Sequence, residues 1–171
     1  MIELTNDQLT FSFSEVHPDA RVVVEFQRTI RIPEGGTEMP QLPSLGRYPL
    51  YAVEEHAQRV PAHWLDNGGA LLPMYQSEAM WLSFQPAYSV AHDVFYPFAV
   101  KVSIGGVDAV TGQRWSQGIH QWPQDYLVVT DQSWLGGYRS PNGEVQQFSA
   151  MPLGSGYQPL RQMKMPNRKV R

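Results

Sequence analysis

Apolar and polar residues alternate strictly in four stretches of the chain. In LTFSFS, Leu9, Phe11 and Phe13 share one face, and Thr10, Ser12 and Ser14 the other. In RVVVEFQRT, Val22, Val24 and Phe26 oppose Glu25, Gln27 and Thr29. AMWLSFQ sets Met80, Leu82 and Phe84 on one side, and FAVKVSI does the same with Phe98, Val100, Val102 and Ile104. A period of two marks a strand with one buried and one wet face. Antiparallel sheets produce this pattern, whereas parallel strands covered on both sides read as unbroken apolar runs. Lys101 and Ser103 are accordingly expected on the wet side of the 98–104 strand.

Turn residues punctuate these runs. Gly105-Gly106 separates VKVSI from VDAV, and two glycines tolerate the positive φ of a two-residue hairpin. Thr111-Gly112 closes the second strand of that hairpin. Pro141-Asn142-Gly143 precedes a strand over 144–151, and further strands are expected at 69–75 and 126–130. Helix is argued only in VEEHAQRVPAHWLDNGG, where Val53, Ala57, Val60 and Trp64 form one stripe, Pro61 starts a second short piece and Asn67-Gly68-Gly69 ends it. The Pro- and Gly-rich residues 33–49 are a stiffened loop. The expected fold is mainly β: an antiparallel β-sandwich or irregular barrel with one short helical segment near 53–66.

Composition narrows the class. The chain has 171 residues, 20 of them aromatic, enough for one domain with a packed core and too many rings for disorder. With no cysteine, neither disulfides nor cysteine-ligated zinc are available. No run approaches the roughly 18 apolar residues of a membrane span, and MIELTNDQLT has neither the basic start nor the apolar block of a secretory leader. A cytoplasmic location is the expectation that follows. Charge is uneven: residues 1–160 carry 16 Asp/Glu against 8 Lys/Arg, whereas 161–171 carry five basic residues and no acid. The acidic body is ill-suited to nucleic acid. The boundaries expected are a single β-rich domain over 1–157 and a basic, mobile tail over 158–171.

YPFAVKVSIGGVDAVTGQRWSQGIHQWPQDYLVVTDQSWLGGY, the following QFSAMPLGSGY, and the earlier HPDARVVVEFQRTIRIP and NGGALLPMYQSEAMWLSF together resemble an uncharacterised family of bacterial and fungal proteins. The resemblance spans most of residues 17–157 and brings no activity, cofactor or catalytic residue. Members are sometimes labelled membrane proteins. Similar chains continue beyond Tyr157, so the resemblance implies a shortened member.

Candidate chemistry is sparse. His17, His56, His63, His92 and His120 show no zinc-ligand spacing, and neither metal nor cofactor is expected. G-x-S-x-G and the glycine-rich phosphate loops are absent. His120 and Asp125 are the weak candidates for an acid/base pair of a hydrolase, and Ser116 joins them only by free choice. The denser feature is aromatic: Trp115, Trp122, Tyr126, Trp134 and Tyr138 crowd a turn-rich segment, with Gln117, Gln121, Gln124 and Asp125 between them. Exposed Trp and Tyr make platforms for ligands. The leading expectation is therefore a non-catalytic binding or interaction module on loops 112–140, recognising protein or carbohydrate, with Trp122, Trp134 and Tyr138 as anchors. An enzyme is the weaker reading. A self-associating structural domain is the third, since uncovered sheet edges invite pairing.

Overall fold

Three of the four alternating stretches assemble into one antiparallel sheet. Its strands are β1 (Ile2–Thr5), β2 (Gln8–Ser12), β3 (Arg21–Thr29), β4 (Ala79–Pro86), β5 (Trp134–Leu135), β6 (Gly137–Arg139) and β7 (Val145–Ser149). The computed structural model describes residues 1–33 and 35–151; the tail expected over 158–171 and the domain boundary at 157 lie outside the described residues. The order is β1-β2-β3-β4-β7-β6, with β5 also pairing β4. The longest seam joins β3 to β4, from Val22 opposite Pro86 to Thr29 opposite Ala79. Strand makes up 38% and helix 7% of the structure, the sheets are antiparallel, and no barrel closes. The irregular-barrel form is thereby set aside: β1 and β6 end the sheet instead of meeting.

β1 was not anticipated from the pattern. It pairs with β2 across Asn6-Asp7, both at positive φ, a conformation that short Asn and Asp side chains tolerate.

Direct pairing puts partners on the same face, so one face of the sheet carries Val22, Val24, Phe26, Leu82, Phe84 and Phe148. Ala109, Leu127 and Val129 pack onto it, joined by half-buried Phe98, Val100 and Val102. The covering segments are short ladders, Ala99–Val100 with Leu127–Val128 and the hairpin Ser103–Ile104 with Val107–Asp108. Gly105 and Gly106 both have positive φ, as that hairpin requires.

The opposite face departs from its expected wetness. Glu25, Gln27 and Thr29 are as buried as the apolar residues beside them. The 43–48 strap runs along β3 beyond the end of β2, through Leu45 N to Arg28 O and Tyr48 N to Phe26 O, both 2.8 Å. Its side chains cover the polar face: Ser44 Oγ donates to Gln27 Oε1, and Arg47 Nη1 donates to Glu25 Oε1. Gln8, Gln27 and Gln85 also donate to Glu25, so this buried carboxylate is fully paired.

The helical region is two short pieces, as Pro61 implied, a 3-10 turn at Val53–His56 and α1 at Ala62–Asn67. Several other element expectations need correcting. Of the expected stripe only Val53 is buried, and Trp64 is exposed, because the pieces are too short to lay one face on the sheet. The strand expected at 69–75 shrinks to Ala70–Leu71, paired with Tyr51–Ala52, and that at 126–130 to Leu127–Val128. The 98–104 strand breaks into two ladders, and Lys101 is not on a wet side.

Candidate functional site

The expected aromatic cluster does not form one face. Trp134 stands on the polar side of the sheet opposite Ser83, beside Trp81, Pro40 and Leu42, where no water-sized space exists. Tyr138 stacks on Phe148 at 6.1 Å and packs against the core, its hydroxyl donating to Gln146 Oε1. Trp115 is half-buried with the Lys101 ammonium 4.6 Å from its ring centre. Tyr126 is half-buried, and its carbonyl accepts from Gln124 Nε2. Trp122 alone is fully presented, 87% exposed, at the turn where Gln121 bridges Gln124 and the Trp122–Pro123 peptide is cis.

Trp122 borders a cavity of about 210 Å³ lined by Asp108, Thr111, Gln113, Arg114, Ser116, His120, Pro123 and Asp125. About 10–15 Å³ suffices for one water, so this space admits a small organic molecule. All its walls come from 108–125, held to the core from behind. Asp108 N donates to Gln113 O, Trp115 N to Gly106 O, and Ala109 N to Val102 O.

Asp125 organises one side. Its Oδ1 accepts from the His120 amide at 2.7 Å, and its Oδ2 contacts both Lys101 Nζ and His120 Nδ1 at 2.6 Å. Burial pushes the carboxyl's pKa upward, but the Lys101 ammonium and the His120 amide and imidazole outweigh it, holding the group well below the usual carboxylate range. An ionised carboxylate only accepts, so His120 Nδ1 carries the proton of this contact. The Lys101 side chain is 6% exposed and also donates to the carbonyls of Ser116 (2.9 Å) and Gly118 (3.0 Å). Lys101 is thus a clamp that ties the 115–125 loop to the ladder beneath it.

Of the residues picked from sequence, the cavity gathers Trp122, His120, Asp125 and Ser116. Trp134 and Tyr138 belong to the sheet. The remaining histidines are elsewhere: His17 lies against Tyr96 and His92, His56 against Tyr51, and His63 against Trp64. Among the described residues no group of three His, Asp or Glu side chains gathers in metal-holding geometry.

Sequence reasoning missed Lys101 and Asp108. Asp108 had a signal in DAVTG, an Asp followed by Thr at the third position and Gly at the fourth, the composition of a side-chain-closed turn. Lys101 had none, because a polar residue in an alternating strand reads as solvated unless a distant loop covers it.

No family model, curated protein or solved structure matches the chain. The chemistry of the cavity therefore rests on its own residues. No helix among the described residues is long and apolar enough to cross a membrane.

Proposed function

We propose that this chain is a non-catalytic binding module whose ligand is a small carbohydrate seated in the 108–125 cavity against Trp122. The observation that carries the reading is a strongly exposed indole at the edge of a polar, ligand-sized cavity. Small-molecule pockets are mostly apolar. This one instead mixes carboxylates, a guanidinium, an amide and hydroxyls around one apolar ring. A sugar ring suits that mixture, offering C–H groups to the indole face and hydroxyls that both donate and accept. A protein partner suits it less, since Trp134 and Tyr138 do not extend the platform. Titration of the protein with methyl glycosides of glucose, galactose, mannose and xylose, followed by the NMR signal of the Trp122 indole N–H, tests the reading. Binding to the wild type and its loss in Trp122→Ala, with the fold retained, is the expected result. Wild-type affinity in that variant sinks the reading.

The 2.6 Å contact between His120 and Asp125 inside the cavity favours a second reading, a hydrolase in which His120 Nε2 accepts a proton from water. Turnover of nitrophenyl glycosides or esters that disappears in His120→Gln would replace the first reading with this one.

A further inference from the structure

The polar groups around the 108–125 cavity differ in what a ligand can reach. Asp108 and Asp125 are 2% and 5% exposed. Asp108 Oδ1 accepts from its own turn, at Val110 N and Thr111 N, and its Oδ2 has no partner among the described residues but no accessible surface either. Both oxygens of Asp125 are taken by His120 and Lys101. His120 is different. Its side chain is half exposed, and its Nδ1 is bound to Asp125 Oδ2 at 2.6 Å. That bond turns one ring nitrogen to the wall, so the accessible half of the imidazole carries Nε2.

The ring is held firmly. Asp125 Oδ1 accepts from His120 N at 2.7 Å and Asp125 N donates to His120 O at 3.2 Å, so the two residues close a turn through main chain and side chain together. Lys101 Nζ lies 2.6 Å from the same Oδ2 and keeps that carboxylate charged and in place. Trp122 stands within this turn, where Gln121 bridges Gln124. The exposed indole and the Nε2 edge therefore belong to one closed turn and line one cavity.

We propose that His120 is the specificity-determining residue of the site, its Nε2 bonding a hydroxyl of the sugar that covers Trp122, with Asp125 as its positioning residue; this rests on the carbohydrate-binding reading above. With Nδ1–H committed to Asp125, the neutral ring offers Nε2 as an acceptor and the protonated ring offers it as a donor. A hydroxyl pairs with either form, whereas a carboxylate pairs only with the second and an ammonium only with the first. The other charged groups near the ring are Asp125 and Lys101 behind it, and Asp108 and Arg114 in the same lining. Arg114 disfavours an ammonium further.

NMR of the nitrogen-labelled imidazoles reads the claim directly. In the free wild type, at a pH where the ring is neutral, the His120 proton is expected on Nδ1. Whichever of the four methyl glycosides binds should shift Nε2 more than Nδ1. His120→Phe leaves Asp125 its bonds to Lys101 and to the amide of residue 120, and should lose about three- to tenfold in affinity, the scale of one hydrogen bond. Asp125→Asn should redistribute the ring proton between the two nitrogens and weaken binding by a similar factor. On the wild type, one monodeoxy form of the glycoside should lose the same factor, an arm that depends on no variant folding. If Trp122→Ala loses binding while His120→Phe and every deoxy sugar keep it, the His120 assignment is overturned and the carbohydrate reading stands. A neutral ring protonated on Nε2, or an Nε2 signal that bound glycoside leaves unmoved, overturns it equally. If no glycoside binds the wild type, both fall. A methyl uronide bound only where His120 is protonated overturns the hydroxyl assignment in favour of an anion.

Discussion

Lys101 occupies a polar slot in an apolar alternation and is nonetheless buried, because its ammonium meets Asp125, two loop carbonyls and the Trp115 ring. A charge so covered persists only when it is paired and hydrogen-bonded. Stability is therefore linked to acid. The folded Asp125 carboxyl titrates below its unfolded value of about 3.9, so its contribution is present above about pH 4 and disappears as pH falls through the folded value. Asp125→Asn should lower the urea midpoint at neutral pH and flatten its fall between about pH 5 and pH 2 relative to the wild type. An unchanged acid limb in the variant would show that the linkage lies in other carboxyls. His120 and Asp125 were visible in the sequence as neighbours five apart. Their lysine was not, since the contact spans 24 residues and only the folded loop makes it.

Turns carry the site at the scale of elements. Gly112, at φ +72°, lies where an added Cβ would meet the Ser140 carbonyl oxygen at 2.6 Å and that of Arg139 at 2.9 Å. Its amide donates to Asp108 O, so the glycine lets the turn bearing Asp108 press against the strand end at 139–140. Gly106, at φ +84°, has nothing within 4 Å of its added Cβ. Ala at 106 should therefore cost only the left-handed penalty, about 1–2 kcal/mol. Ala at 112 adds a backbone clash worth about 1–3 kcal/mol on top. Urea unfolding of the two variants checks the order, and equal losses would mean that the 108–112 turn moves freely off the strand. Both glycines were readable as turn residues. The difference between them was not, because it depends on what packs against each.

For the molecule as a whole, a covered apolar face on a mostly paired sheet supplies the stability, and the cavity loops ride on its second layer. Phe84, 2% exposed at the centre of the β3–β4 seam, should cost about 3–5 kcal/mol when replaced by Ala. Trp122→Ala should stay within about 0.5 kcal/mol of the wild type, as an exposed side chain away from the core. Urea midpoints read both, and a large loss at Trp122 would make that ring a structural member. The alternation by itself determined the antiparallel sheet, the apolar face of β2, β3 and β4, and the Gly105-Gly106 hairpin, because a period of two and positive-φ residues are properties of adjacent residues. Tertiary structure alone decided that the 43–48 strap buries Glu25, that Trp134 and Tyr138 join the sheet while Trp122 stays out, and that Asp108 keeps one oxygen unpaired beside a cavity. Those outcomes depend on which distant segment covers a given face, and local periodicity carries no record of that.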